Sequence, residues 1–276
     1  MSVDLDLHVG TYNHYNGGVD HDSAGRRVLD RLDAQLDLLA PLGLDVLIST
    51  EAKGWFDPDD GRALELARTR LGMLPLWVLA PRHDCNIVVW INSQRLRDPG
   101  SHHEAGHPWW HAQARVSVRV DGLGERLWLF GAHFSPFVPG VRIDEAYATC
   151  DLANERLAIG GGDFNDDAAG DPVADRRAMP AYKRMRHDQP GGQSAAGMLA
   201  AASFGDVAAL VQPQQGTREP TAGFTDGAPL RCDRLYVCER LRASPQAYAT
   251  LPYDAQLSDH RGIHAWFDLA AHVYLA

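Results

Sequence analysis

Asp163 and Asn165 close the hexapeptide Gly160-Gly161-Gly162-Asp163-Phe164-Asn165, directly after the apolar run Leu157, Ala158, Ile159. On an extended backbone, residues two apart project to the same side. A carboxylate and a carboxamide would then stand together at the carboxyl end of a buried strand, where sheet proteins bind their ligands. By itself the hexapeptide reads equally well as a Gly/Asp/Asn turn, so the decision rests on what else the chain supplies. Leu5, Leu7 and Val9 alternate with polar residues and lead to Asn13, and the apolar run 44–48 delivers Glu51. Leu127, Leu129 and Phe130 lead through Gly131-Ala132 to His133. Asp233 precedes the alternating Leu235 and Val237, and Asp259-His260 precedes Ile263, Ala265 and Phe267. Singly each is ordinary: a lone histidine at a strand end is more often structural than catalytic. Collected, they are oxygen donors suited to a hard cation, accompanied by imidazoles able to carry a proton.

Periodicity indicates the elements that must position these groups. Val28, Leu29, Leu32, Leu36 and Leu39 recur at spacings of three, four and seven, which predicts an amphipathic helix packed inward. Residues 60–71 read as a helix, 74–79 and 87–91 as strands, and Val116, Val118 and Val120 as an alternating strand. Residues 141–156 predict the helix that returns the chain to the strand before Asp163; 195–202 read as a short helix and 207–211 as a short strand. The stretch 164–192 is rich in Asp, Ala, Gly and Pro and reads as a long loop, of the kind that is often functional after a catalytic strand. Within it, Tyr182-Lys183-Arg184-Met185-Arg186-His187 is the clearest basic cluster with an aromatic neighbour, fit either to touch a phosphate backbone or to form a solvated helical turn. Arg82, in the polar tip 82–86, is a second candidate phosphate contact, with a solvated loop as the plainer reading. His102, His103, His107 and His111 match neither familiar zinc spacing, so a surface loop is expected there rather than a zinc site.

With 276 residues the chain can bury a substantial core, and no linker divides it, so one domain over residues 1–276 is expected. Hydrophobic residues at 45% against charged ones at 22% argue against a mainly disordered chain. A net charge of −10 disfavours a large non-specific nucleic-acid footprint, although an acidic enzyme can still use a local basic groove or a bound cation. Cys85, Cys150, Cys232 and Cys238 lack C-x-x-C spacing and read as reduced core residues. No signal peptide, membrane anchor or membrane-length apolar stretch is apparent, and the cytoplasm is the expected location.

Six motifs occur in order: Thr11-Tyr12-Asn13, the strand-terminal Glu51, Gly131-Ala132-His133, Gly162-Asp163-Phe164-Asn165, Asp233-Arg234-Leu235-Tyr236 and Ser258-Asp259-His260. Their order and contexts resemble the endonuclease/exonuclease/phosphatase superfamily, the DNase-I-like fold, across essentially the whole chain. The resemblance implies an α/β four-layer sandwich of two packed mixed β-sheets flanked by helices, with the active site at one edge. It also implies Mg²⁺ or Mn²⁺ rather than zinc, with Glu51 as first ligand and Asp259 and Asn13 completing or supporting the sphere. By the same comparison Asp163 would orient or deprotonate water, Asn165 would hold the transition state, and Asp233 would align His260. His260 would then bind phosphate or exchange a proton, and His133 would contact the scissile phosphate or assist the leaving group. Thr50 stands before Glu51 where many members carry Gln, Cys85-Asn86 stands where a glycine is common, and His133 disfavours a close abasic-site endonuclease. The leading expectation is a metal-dependent phosphodiesterase acting on nucleic acid, with Asn13, Arg82, Lys183, Arg184 and Arg186 on the substrate. A phosphatase or phosphodiesterase for a small phosphorylated molecule or lipid headgroup is the alternative, and a non-catalytic binding scaffold the third reading.

Overall fold

The computed structural model describes residues 5–154, 156–187, 190–214, 216 and 218–273. The chain opens with β1 (Asp6–Asn13), β2 (Asp20–His21), β3 (Arg27–Val28), α1 (Asp30–Leu39), β4 (Val46–Thr50), α2 (Arg62–Leu71), β5 (Leu74–Val78) and β6 (Ile87–Ile91). Next come β7 (Leu96–Ser101), β8 (Glu104–Ala105), β9 (Ala112–Val120), β10 (Leu127–His133), α3 (Pro139–Thr149) and β11 (Leu157–Asp163). It closes with α4 (Ala181–Arg184), α5 (Ala195–Ala201), β12 (Gly205–Asp206), α6 (Val207–Val211), β13 (Asp233–Val237), β14 (Pro245–Thr250), β15 (Ile263–Asp268) and α7 (Ala270–Val273).

Two sheets result, in the strand orders β14-β15-β1-β4-β6-β5 and β12-β13-β11-β10-β9-β7, with β8 paired to β9. Each is mixed in the same way: one parallel pair at the centre, β1 with β4 and β10 with β11, flanked by antiparallel neighbours. A parallel pair cannot be closed by a hairpin and needs a crossover; α1 and α3 supply the two. Leu7, Val9, Val46 and Ile48 of one sheet and Val116, Val118, Leu127, Leu129, Leu157 and Ile159 of the other share one buried apolar cluster, the inside of the sandwich. Leu47, Val88 and Trp90, of opposite parity, pack with Leu32, Leu36 and Leu39 of α1 and with Ala63 and Ala67 of α2. Helices α3 and α5 bring Ala146, Ala195 and Leu199 to the other sheet. The layering is α/β/β/α, the four-layer sandwich with two mixed sheets.

Some local expectations give way to packing. Residues 207–211 form a helix rather than a strand, because the Asp206 side chain accepts the Ala208 and Ala209 N–H groups and so caps a turn there; only Gly205–Asp206 pair as strand. Val28 lies in the β2–β3 hairpin, and α1 begins at Asp30. The glycines of 160–162 do not form a turn. They continue β11, where a Cβ on Gly160 would overlap the Phe130 ring and one on Gly162 (φ +136°) would overlap the Ala132 carbonyl oxygen. Their absent side chains let β10 and β11 pair directly beneath the residues that follow.

Candidate active site

The inside of the sandwich stays apolar along its length and turns polar at one edge. On β1 the inward series Leu7, Val9, Thr11 ends in Asn13; on β10, Leu127, Leu129, Gly131 ends in His133; on β11, Leu157, Ile159, Gly161 ends in Asp163. Strand register then fixes neighbours: His133 lies opposite Asp163, and Asp163 opposite Asp233, so three adjacent strands set three ionisable groups in a row. β15 runs antiparallel to β1 with Ile263 opposite Thr11, which brings the preceding loop over the end of β1. Ser258 fastens that loop by donating through Oγ to the Asn13 carbonyl oxygen (2.8 Å) and accepting the His260 N–H (3.1 Å).

Asp163 is the hub. Its Oδ2 accepts from Asn13 Nδ2 (3.2 Å) and its Oδ1 from the Asn165 N–H (2.9 Å). His133 Nε2 and His260 Nε2 approach Oδ2 at 3.6 and 3.8 Å. His260 Nδ1 is bound to Asp233 Oδ2 at 2.7 Å, and Asp233 is steadied by its own N–H donating to Thr221 Oγ1 (2.9 Å). Glu51 accepts Asn13 Nδ2 (3.3 Å) on one oxygen and the Asn16 N–H (2.8 Å) on the other. Glu51 and Asn165 both sit in the left-handed region, at φ +54° and +49°. Strain of this kind in non-glycine residues concentrates at functional sites.

Burial alone would favour neutral His260, but the Asp233 and Asp163 carboxylates outweigh it and hold the imidazole well above its ordinary pKa. Burial likewise opposes ionisation of Asp163, and the His260 imidazolium, first among its neighbours, outweighs it together with the Asn165 N–H, leaving the carboxyl below its usual range. Asp259 is pushed up by burial and by the neighbouring carboxylates Glu51 and Asp163. Its Oδ1 is buried without a hydrogen-bond partner. Glu51, Asp259 and Asp163 thus border one cavity with an orphaned carboxylate oxygen among them, oxygen donors of the kind that suit a hard divalent cation. These groups floor a cavity of about 440 Å³ whose walls include Lys183, Arg186, His187, Tyr15 and Phe137.

No protein-family model matches the chain, and no curated protein matches its sequence. Solved structures do match. The 3'-5' exonuclease NExo from Neisseria meningitidis superposes with a TM-score of 0.64 at 17% identity, over 95% of this chain and 100% of that one. Humanized D. rerio TDP2 gives 0.63 at 17% over 95% and 99%, and an endonuclease/exonuclease/phosphatase family protein from Bacteroides thetaiotaomicron gives 0.63 at 12% over 95% and 97%. The chain has the DNase-I-like fold. Within this fold the six motifs of the sequence meet at one end of the sandwich, at strand ends from both sheets.

The DNase-I-like sandwich sorts the expected site residues into three groups. Glu51, His133, Asp163, Asn165, Asp259 and His260 line the cavity, as do Lys183 and Arg186. Asn13 and Asp233 are fully buried and do not line it; Asn13 also accepts the Tyr15 N–H through Oδ1 (2.9 Å). Arg82 and Arg184 lie off the cavity wall: the Arg82 guanidinium stacks on Trp110, and Arg184 donates to the Met179 carbonyl oxygen. Around Lys183 the solvated-turn reading is half right, since α4 is a single turn that aims Lys183 inward and Arg184 away. His111 is the chief departure. Expected in a surface loop, it is buried and stacked on His133 with ring centroids 4.3 Å apart. Cys85 and Cys232, read as core residues, also reach the cavity. The only signal for His111 is its place just before β9, whose pairing with β10 carries it to the His133 end.

Proposed function

We propose that this protein is a divalent-cation-dependent hydrolase of phosphodiesters whose substrate is nucleic acid. The observation that carries the reading is the buried row in which an ionised Asp163 lies between Asn13, His133 and His260, with His260 tied to Asp233. Glu51 and Asp259 are the residues to hold Mg²⁺ or Mn²⁺, with Asn13 fixing Glu51, and the bound ion would neutralise phosphoryl oxygens. Asp163 takes the proton of the attacking water. Asn165 uses one amide hydrogen on the Phe134 carbonyl oxygen (3.0 Å) and has a second for a phosphoryl oxygen. His260, charged and donating through Nε2, acts on a phosphoryl or departing oxygen rather than as a base, because its carboxylate partner stabilises the protonated form. His133 stands across from it, on the other side of Asp163.

Nucleic acid is favoured over a small ester by the cavity's upper wall. Lys183 and Arg186 share the cavity wall with the exposed aromatics Phe137 and Tyr15, and the Arg186 guanidinium lies 4.8 Å from the Phe137 ring centre, a pairing of cation and stacking surface suited to a single strand. A fold relative, the Neisseria 3' phosphatase NExo, is described bound to a product DNA hairpin. The small-ester reading draws on the net charge of −10 and on the pairing of Lys183 with Asp226 at 2.6 Å. Among the described residues no helix is long and apolar enough to cross a membrane.

Purified protein with Mg²⁺ is to be assayed against plasmid, single-stranded DNA, RNA, sugar phosphates and inositol phosphates. Nucleic-acid cleavage is expected, with Asp163→Ala and His260→Ala each lowering it by about 100-fold or more while the circular dichroism of the fold is retained. Turnover of a small ester alone would reject the nucleic-acid substrate, and full activity in both variants would reject the mechanism.

A further inference from the structure

We propose that Cys85, His111 and His133 form a binding site for a soft divalent cation of the Zn²⁺ class, set in the cavity wall beside the carboxylate floor. The three come from separate parts of the chain, the tip between β5 and β6, the residue before β9 and the end of β10, yet a ligand atom of each lies within 4.8 Å of the others. Closing them onto one ion at metal–ligand lengths requires a contraction of up to about 1.5 Å.

The hydrogen bonding of the two imidazoles points to a ligand. His111 Nδ1 faces the Arg82 carbonyl oxygen (3.4 Å), which fixes its hydrogen there and leaves the lone pair on Nε2. His133 Nε2 has the Asp163 carboxylate as its nearest acceptor, at 3.6 Å and so beyond hydrogen-bond length; a hydrogen on Nε2 is drawn to that charge, and Nδ1 is then the nitrogen with the lone pair. Both of those remaining nitrogens, His111 Nε2 and His133 Nδ1, are buried without a hydrogen-bond partner. The side chains are nine-tenths or more buried and their rings stack. An imidazole with one N–H committed to a carbonyl or carboxylate and the other nitrogen open has the orientation of a metal-bound histidine. Two orphaned acceptors in one buried pair are a cost to the fold, which a cation would remove. One sulfur and two imidazoles favour Zn²⁺ over the hard ion suited to Glu51 and Asp259. All three side chains border the cavity. A second trio, Asp163, Cys232 and His260, is as compact, but there His260 Nδ1 is already bound to Asp233.

Metal-free full-length protein is to be titrated with Co²⁺ and with Zn²⁺ in the presence of excess Mg²⁺. A thiolate-to-cobalt charge-transfer band is expected that disappears in Cys85→Ser and survives in Cys232→Ser, and Zn²⁺ affinity in competition with a chelating dye should fall at least about tenfold in His111→Gln. X-ray absorption on the zinc-loaded wild type, which needs no variant, should show a sulfur at about 2.3 Å and imidazole nitrogen at about 2.0 Å. A shell of oxygen and nitrogen only, a band that follows Cys232 instead of Cys85, or unchanged affinity in His111→Gln overturns the site. These readouts do not involve hydrolysis, so they stand or fall apart from the phosphodiesterase reading. Only one consequence rests on that reading: an ion there occupies His133, so hydrolysis should decline as it fills.

Discussion

His260 owes its proposed role to one contact. Its Nδ1 lies 2.7 Å from Asp233 Oδ2, and Asp233 is fully buried, so solvent does not weaken the pair. Replacing the carboxylate by an amide leaves shape and burial in place but removes the charge that sustains the imidazolium. The sign follows directly. A step that needs protonated His260 persists in the wild type as pH rises, until the raised pKa is passed; in Asp233→Asn that pKa drops, and the alkaline limb of the rate profile moves to lower pH. The amide can also turn the ring into the wrong tautomer, so kcat should fall by about 100-fold or more. Measuring kcat across pH for both proteins checks this. An alkaline limb that stays where it was would mean that His260 does not act as the charged donor.

At the scale of elements, the site depends on how closely β10 and β11 approach. Ala132 and Gly162 are register partners one position before His133 and Asp163, and Gly162 has φ +136° with no space for a Cβ beside the Ala132 carbonyl oxygen. Gly162→Ala should therefore force the parallel pair apart at its functional end, costing about 3 kcal/mol or more and lowering activity. Gly140, at the start of α3, has open space around its Cβ direction and no positive φ; Gly140→Ala should be neutral or stabilise by up to about 1 kcal/mol. Urea melts of the two variants test the contrast, and equal stability would remove this role for Gly162. The same pair of strands shows what the sequence could disclose. Apolar runs that end in His133, Asp163 and Asn13 announce both the strands and their polar tips, because strand periodicity and burial are local. What is not local is register across sheets. Cys85 and His111 lie far from His133 in sequence and meet it only because β9 pairs with β10 and the 82–86 tip folds against that edge. The helix at 207–211 was hidden for a different reason: five apolar residues carry too little periodicity to distinguish helix from strand, and the Asp206 cap settles it.

The whole molecule is held beneath the site by a buried polar chain that bears on its response to acid. His14, fully buried, donates from Nδ1 to Gln35 Oε1 (2.9 Å), an assignment forced by Gln35 Nε2, which donates to the His14 and Leu257 carbonyl oxygens. Its Nε2 accepts from Ser49 Oγ (2.9 Å), and Ser49 in turn accepts the Trp90 N–H (3.1 Å). The chain joins the end of β1 to α1, β4, β6 and the loop before Ser258, tying one sheet and its covering helix to the site. Protonating His14 would turn Nε2 from acceptor to donor and leave the Ser49 hydroxyl hydrogen without its acceptor, and burial pushes the imidazole down to about 4. Folded protein therefore binds this proton more weakly than unfolded chain does: the stabilisation is present above the unfolded pKa and is lost as pH falls from about 6.5 towards 4. His187 and His264, each lowered to about 4 by burial, add in the same direction, whereas Glu145, raised to about 8 by burial, opposes them. The His14 share is isolated by difference. Between about pH 7 and about pH 5 the wild type should lose about 2 kcal/mol more unfolding free energy than His14→Gln, whatever the absolute stability of the variant. Denaturant melts at the two pH values provide the measurement. Equal losses in both proteins would show that His14 does not couple folding to protons, and that the polar chain under the site tolerates a charge.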